Sequence, residues 1–214
     1  MSKAPPSSES RSDPETVDSL RATFTEAAST ITAFLAEESN LVALERFVAL
    51  ACSTFRRGGR VFACGNGGSL CEAMHFAEEL TGRFRDNRPP LPALALSDPG
   101  AITCIANDFG FEQVFARQLE ALGSAGDLLL LLSTSGESHN LVEAASRARD
   151  LDVSTVALLG RDGGKLAPMV DVPIVVPEAT TSDRIQEMHL QILHASIEEI
   201  ERRLFGATVA KTFR

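Results

Sequence analysis

Residues 60–69 read RVFACGNGGS, an apolar run that ends in three glycines within four residues. The run carries no charge after Arg60, which is typical of a strand covered on both faces of a parallel sheet. The glycines allow a sharp turn and a close approach of backbone N–H groups to a ligand. Helical spacing resumes at Ser69. We therefore interpret the segment as a strand, a glycine loop and the first turn of a helix.

The same alternation of short apolar runs and helical stretches continues along the chain. The predicted strands are Arg60–Cys64, Leu91–Ser97, Asp127–Leu132, Val153–Leu159 and Val172–Val176. The predicted helices are Ser69–Leu80, Gly100–Asn107, Phe111–Leu122, Ser138–Asp150, Gly163–Met169 and Ser182–Leu204. This pattern predicts a three-layer α/β/α fold, in which a five-stranded parallel sheet has helices on both faces. Ligands of such sheets bind beyond the carboxyl ends of the strands.

Two amphipathic helices precede the first strand. Apolar residues recur at helical spacing over Val17–Leu35 and Leu41–Phe55, and Gly58-Gly59 ends the second stretch. Residues 1–14 are rich in Ser and Pro and contain almost no large apolar group. We therefore expect a disordered N-terminal segment over 1–14, followed by a single domain over 15–214.

Composition excludes several classes of function. The chain has 20 Lys and Arg against 29 Asp and Glu, a net charge of −9, and no clustered basic stripe, so nucleic acid is not an expected ligand. No charge-free stretch exceeds the 11 residues of Val61–Cys71, whereas a bilayer span needs about 20. With no signal-peptide core, we expect a cytoplasmic protein. The four cysteines form no CxxC pair, so we expect reduced, buried thiols: Cys52, Cys64, Cys71 and Cys104.

Two loops could hold a phosphate group. The loop Gly65–Ser69 opens a helix, whose N-terminus favours an anion, although Leu70 breaks the GxGxxG fingerprint of dinucleotide sites. A tight strand-to-helix turn would explain these glycines equally well. The second loop, Ser133–Ser138, carries four hydroxyls in six residues. Capping of the following helix accounts for one hydroxyl and not for four, so we favour phosphate binding there.

A third glycine cluster, Gly160–Lys165, superficially resembles a Walker A loop. Its spacing is one residue short, and Leu166 stands where Ser or Thr is needed. We interpret it as a turn.

His75 and Glu79 lie four residues apart and so share one face of their predicted helix. Such a pair can bind a divalent metal or transfer protons, but an ordinary surface pair has the same spacing. We expect the adjacent Glu78 to point elsewhere. On the last helix, periodicity aligns Glu187 with His194 better than Gln186. The residues alone leave that choice open.

Five blocks of sequence, taken together, resemble one known family. They are Cys64–Ser69, Ala73–Arg83, Asn107–Phe111, Ser133–Gly136 and Asp183–Glu187. In order and spacing they resemble the sedoheptulose 7-phosphate isomerases (phosphoheptose isomerases) of the sugar isomerase (SIS) domain superfamily. The resemblance extends from about Val17 to Leu204, which is nearly the whole chain.

The resemblance implies a homotetramer of flavodoxin-like subunits with active sites at subunit interfaces. It implies interconversion of D-sedoheptulose 7-phosphate and D-glycero-D-manno-heptose 7-phosphate, the first step of nucleotide-activated heptose biosynthesis. The implied phosphate ligands are Ser133, Thr134, Ser135 and Ser138. The implied sugar contacts are Asn66, Gly67, Gly68, Glu79, Asn107, Asp108 and Gln186. The implied ligands of one Zn²⁺ per subunit are His75, Glu79, Gln186 and His194, with Glu79 and His194 also the catalytic proton-transfer pair.

Two other functions remain open at this point. A related group of SIS proteins forms a tetrameric scaffold that binds the bacterial replication initiator, and it lacks the Glu and His found here at positions 79 and 194. Another phosphosugar could also be the substrate of the same fold, because the serine loop would recognise only the phosphate.

Overall fold

The computed structural model describes residues 12–177, 179 and 181–206. The helices are α1 Pro14–Ala36, α2 Glu38–Arg56, α3 Gly68–Thr81, α4 Pro99–Phe109, α5 Ala116–Leu122, α6 His139–Asp150 and α7 Ser182–Phe205. The strands are β1 Val61–Gly65, β2 Ala93–Ala95, β3 Leu128–Ser133, β4 Ser154–Gly160 and β5 Val172–Val176. Residues 1–11 of the expected N-terminal segment lie outside the described residues. Pro14, the last residue of that segment, already belongs to α1, whose N-cap is Asp13.

The five strands form one parallel sheet in the order β2-β1-β3-β4-β5. This order confirms the predicted α/β class and is that of flavodoxin-like folds. The chain changes direction across the sheet between β1 and β3, and ligands bind at such a switch point. Gly65 pairs with Leu132, so the loops that follow these two strands leave the same edge side by side. The glycine loop and the serine loop are therefore neighbours.

Strand β3 shows why the sheet is covered on both faces. Its side chains alternate between the two faces, as in any strand. Leu128, Leu130 and Leu132 pack in one apolar layer, beneath α2, α3 and α7. Leu129 and Leu131 pack in the other, beneath α6. A run of five buried leucines therefore serves two hydrophobic layers.

Two predicted helices are wrong in part. Only Ala167–Met169 of the expected Gly163–Met169 helix is helical, as a 3-10 turn, because Gly163 and Gly164 have φ of +82° and +53°. The expected Phe111–Leu122 helix is divided into a 3-10 turn at Phe111–Gln113 and α5.

The expectation of four buried thiols is also wrong in part. Cys52 and Cys64 are buried, whereas Cys71 and Cys104 are exposed, because they lie on the outward faces of α3 and α4. Within the described ranges, no helix is long and apolar enough to cross a membrane.

Helices α3 and α7 pack side by side on one face of the sheet. Both begin at the carboxyl edge of the sheet, and they run in the same direction. Polar residues meet at successive levels of this interface, in the pairs Ser69–Gln186, Glu72–His189 and His75–His194. Residues far apart in the sequence are thereby brought together along one groove.

The middle level of the groove, Glu72 and His189, carries no net charge at neutral pH. The Nδ1 atom of His189 lies 4.0 Å from Glu72 Oε2. Burial raises the pKa of Glu72 to about 8 and lowers the pKa of His189 to about 4. Both groups are therefore uncharged at pH 7, because burial penalises the charged form of each.

Candidate active site

The glycine loop is held to the start of α6 by one pair of side chains. Asn66 donates to Asn140 Oδ1 at 2.9 Å, and Asn140 donates to Asn66 Oδ1 at 2.8 Å. Two reciprocal hydrogen bonds between the side-chain amides fix the rotamers of both residues. The glycine loop is thus linked, at the carboxyl edge of the sheet, to the helix that follows the serine loop. Asn140 carried no signal in the sequence, because its partner is 74 positions away.

The serine loop presents its hydroxyls and amides in an ordered turn. Ser133 Oγ accepts from the Gly136 N–H at 3.0 Å, and Ser135 Oγ accepts from the Glu137 N–H at 3.2 Å. Thr134 Oγ1 lies 3.3 Å from the Ser182 hydroxyl at the start of α7. Ser138 occupies the N-cap position of α6, yet its side chain makes no capping hydrogen bond to the described residues. In the described part of the chain the N–H groups of His139 and Asn140 are without an acceptor, whereas the Leu141 N–H donates to Ser138 O at 3.0 Å, so the first two could bind an anion.

The turn Gly160–Lys165 supports the serine loop from below. Gly136 has φ of +66°, and a Cβ atom there would collide with the carbonyl oxygen of Gly163. The N–H of Leu166 donates to Gly136 O at 3.1 Å, and Lys165 Nζ lies 2.9 Å from the Glu137 carboxylate. The third glycine cluster is therefore a turn, as predicted, and it fixes the backbone of the serine loop.

His75 is the centre of a cluster of ionisable side chains. Its Nε2 atom lies 2.9 Å from His194 Nε2 and 3.7 Å from Glu79 Oε1. Its Nδ1 atom lies 3.2 Å from the Glu78 carboxylate. We expected Glu78 to point elsewhere, and that expectation is wrong. Its spacing of three residues from His75 could have revealed the contact.

The surroundings of Glu79 and His194 shift the pKa of each group in the direction that favours its uncharged form. Burial and then the Glu78 carboxylate raise the pKa of Glu79 above its ordinary value. Burial and then the neighbouring His75 lower the pKa of His194. A carboxylate of raised basicity beside an uncharged imidazole is an arrangement suited to moving protons.

The structure places Gln186, and not Glu187, in the groove. Gln186 Nε2 donates to Ser69 Oγ at 3.4 Å, and a Cβ atom on Gly68 would lie 2.6 Å from that nitrogen. Glu187 instead pairs with Arg184. The amide of Gln186 lies at the glycine-loop end of the groove, and eight residues of α7, about 12 Å along the axis, separate it from His194.

Asn107 and Asp108 lie exposed at the C-terminal end of α4. The Asn107 amide donates to Asp108 Oδ1 at 2.7 Å, and Asp108 also accepts from Cys104. Among the described residues, these side-chain hydrogen bonds therefore stay within α4.

A divalent metal could be held by the cluster around His75. Two imidazole nitrogens and one carboxylate oxygen converge there, from His75, His194 and Glu79. Nitrogen and oxygen donors of this type suit Zn²⁺. The contact of Glu78 with the opposite ring nitrogen of His75 would orient that ligand, as outer carboxylates do at zinc sites. The donor set therefore fits the metal.

Comparison with known proteins gives a consistent picture. The SIS domain family model matches residues 23–160. A phosphoheptose isomerase of Proteus mirabilis is 49% identical over 187 residues, 87% of this chain and 97% of the relative. The phosphoheptose isomerase GmhA of Neisseria gonorrhoeae has a similar structure, with a TM-score of 0.79, 40% identity, and coverage of 86% of this chain and 97% of that one. The structure of a phosphoheptose isomerase of Francisella tularensis is also similar, with a TM-score of 0.81 and 35% sequence identity. The match covers 87% of this chain and 98% of that one.

We predict that Gly136→Ala disrupts the serine loop, whereas Gly58→Ala does not. Both glycines have positive φ, but the described residues leave open space around Gly58. Gly58→Ala should therefore cost only backbone strain, about 1–2 kcal/mol. Gly136→Ala should cost more and should abolish the rise in melting temperature that inorganic phosphate produces. Thermal unfolding with and without phosphate measures both effects. A phosphate-induced rise preserved in Gly136→Ala would contradict the assignment of this loop.

Proposed function

The chain belongs to the phosphoheptose isomerase family of SIS domain proteins, and from that premise we propose that it interconverts D-sedoheptulose 7-phosphate and D-glycero-D-manno-heptose 7-phosphate. This reaction would begin the synthesis of nucleotide-activated heptose. The observation that carries the proposal is the meeting of Glu79 and His194 at His75, in a groove that starts beside an anion-binding loop. The same observation favours an enzyme over a scaffold, because a scaffold has no need of that pair.

Ketose–aldose exchange moves a proton between neighbouring carbons through an enediol, so it requires a base and an acid. In our proposal Glu79 removes the proton from one carbon and returns it to the next. His194 donates a proton to the carbonyl oxygen and recovers it from the neighbouring hydroxyl. The raised pKa of Glu79, due first to burial, makes it a stronger base than an exposed glutamate. The lowered pKa of His194, due first to burial, keeps its imidazole uncharged near neutral pH.

The remaining expected ligands would contact either the phosphate or the sugar. We propose that the phosphate is held by hydroxyls and amide N–H groups of Ser133, Thr134, Ser135 and Ser138. The α6 N-terminus adds a favourable field for the dianion. The sugar chain would then extend over the glycine loop towards Glu79, with contacts from Asn66, Gly67, Gly68, Asn107, Asp108 and Gln186.

We propose that Zn²⁺ binds in the cluster of ionisable side chains around His75. The ligands would be His75, Glu79 and His194, and Gln186 would have to turn from Ser69 to complete the set. When bound, the metal supplies Lewis acidity that polarises the oxygens of the substrate. Glu78 then holds the Nδ1 proton of His75 and keeps its Nε2 directed into the site.

We also propose a homotetramer with active sites at the subunit interfaces. The support is an apolar stripe on α1, where Leu20 and Phe24 are 55% and 74% exposed in the single chain. Monomers seldom expose large side chains along one helix face, because water disfavours it. Sedimentation should give the mass of four chains, and Phe24→Glu should lower it. A monomeric wild-type protein would refute the assembly.

We place the enzyme in the cytoplasm. Its four cysteines are free thiols, which suits a reducing compartment. Recovery in the exported fraction of cells would contradict this assignment.

We predict that Glu79→Gln removes turnover and preserves binding. The amide keeps the shape of the side chain but cannot accept the carbon proton, so kcat should fall by roughly 10²–10⁴-fold. A coupled assay on sedoheptulose 7-phosphate measures kcat, and calorimetry measures substrate affinity. Normal turnover by Glu79→Gln would exclude it as the base.

Removal of the metal tests the zinc proposal separately. Purified protein should contain zinc, lose activity with a chelator and regain it with added Zn²⁺. His194→Ala should lose the metal, whereas Glu187→Gln, altered next to Gln186 on the same helix, should retain it. Elemental analysis gives the zinc content of each protein. Full activity of chelated, zinc-free enzyme would disprove the role of the metal.

A further inference from the structure

A buried ion pair joins the two helices that carry Glu79 and His194. Arg88 lies in the segment between α3 and β2, and its side chain is only 2% exposed. Its Nε atom donates to Oε1 of Glu201, on α7, at 2.7 Å, and the Glu201 side chain is 1% exposed. The guanidinium also donates to the main-chain carbonyls of Leu80 at 2.6 Å and Glu79 at 2.7 Å. One side chain thus bonds to α3 and to α7.

The hydrogen bonds of Arg88 to α3 are made at the C-terminal end of this helix. A helix has carbonyl groups without helical partners there, and the negative end of its dipole. A guanidinium satisfies both, and its rigid fork of donors fixes direction as well as distance. One of the two carbonyls belongs to Glu79 itself. Arg88 is therefore bonded directly to the backbone of Glu79.

The partner of Arg88 lies on the helix of the second proton-transfer residue. Glu201 follows His194 by seven residues on α7, which is about two turns, so the two side chains share a helix face. A displacement of Glu201 relative to Arg88 would shift His194 relative to Glu79. The chain from Glu79 through Arg88 and Glu201 to His194 consists of two short hydrogen bonds and one rigid stretch of helix.

Stability alone is a poor explanation for this pair. Burying two charges costs several kcal/mol per ion, and well-packed apolar residues are often as stable in such positions. In the described part of the chain, Glu201 Oε2 is buried and accepts no hydrogen bond, which adds a further cost. Arg85 and Glu198 link the same two elements at 2.7 Å on the surface, where the side chains are 46% and 54% exposed. The chain thus has an exposed counterpart in nearly the same place.

We propose that Arg88 and Glu201 are positioning residues that fix the distance between the Glu79 carboxylate and the His194 imidazole for proton transfer. This inference rests on the proposed function of Glu79 and His194. Neither Arg88 nor Glu201 is placed against the substrate. Their effect is expected on kcat, because the serine loop that holds the phosphate is on other elements.

The test compares Arg88→Lys, the double variant Arg88→Met/Glu201→Leu, and Glu198→Gln as the matched control. The double variant leaves no buried unpaired charge, so it should fold, with a melting temperature lowered modestly because the carbonyl groups of Leu80 and Glu79 lose the donors of Arg88. Its kcat for sedoheptulose 7-phosphate should fall roughly 10- to 100-fold with little change in KM, because a misplacement of about 1 Å has that effect. Arg88→Lys keeps the charge but loses the fork, and its kcat should fall as well. Glu198→Gln should match the wild-type protein.

Three results would overturn the proposal: a folded double variant with wild-type kcat, a change confined to KM, or loss of the folded state in both Arg88 variants. The last would make the pair a folding element.

If the wild-type protein does not turn over the substrate, the proposed reaction fails instead, and the crystal structure of the double variant then tests the role of Arg88 and Glu201. A Glu79 carboxylate displaced relative to His194, with none in Glu198→Gln, would support positioning. An unchanged separation would overturn it.

Discussion

The side-by-side packing of α3 on α7 is the constraint on which the candidate site depends. His75 and His194 are 119 residues apart, yet their ring nitrogens lie 2.9 Å from each other. This is possible because both helices start at the carboxyl edge of one parallel sheet and cover the same face of it. The topological switch between β1 and β3 then places the glycine loop and the serine loop at the end of the groove between these helices. The proposed acid–base pair and the proposed phosphate loop thus owe their proximity to the same packing.

The groove between α3 and α7 is polar where an ordinary helix interface would be apolar. Glu72 and His189 remain uncharged there, because burial shifts their pKa values in opposite directions. Arg88 and Glu201 instead remain paired. Such groups cost free energy, and the two apolar layers on the faces of the sheet offset the cost. Departures from a fully apolar interior are expected at functional sites.

The sequence predicted the strands, most helices and both loops at the carboxyl edge of the sheet, since each depends on residues near one another in the chain. Apolar periodicity places buried faces, and glycine or hydroxyl clusters mark turns and anion sites. One wrong expectation follows from this restriction to local patterns. Helical periodicity favoured Glu187 over Gln186 because it aligns residues only within α7, whereas the groove is defined by where α3 packs. The contact of Glu78 with His75 is local, and the spacing of the two residues already contained it.

What the amino-acid order established unaided is local: a strand, loop and helix repeated to make an α/β chain, with a hydroxyl-rich turn suited to phosphate. It also marked His75 and Glu79 as a pair capable of acid–base chemistry, whereas the role of His194 came from the resemblance to a known family. Only the folded chain determines that Glu79 and His194 meet, that burial shifts their pKa values, and that Arg88 bonds to both helices. The reason is physical. Periodicity fixes which face of a helix is buried, but contact between distant segments and the loss of water around an ionisable group depend on the packing of the whole sheet.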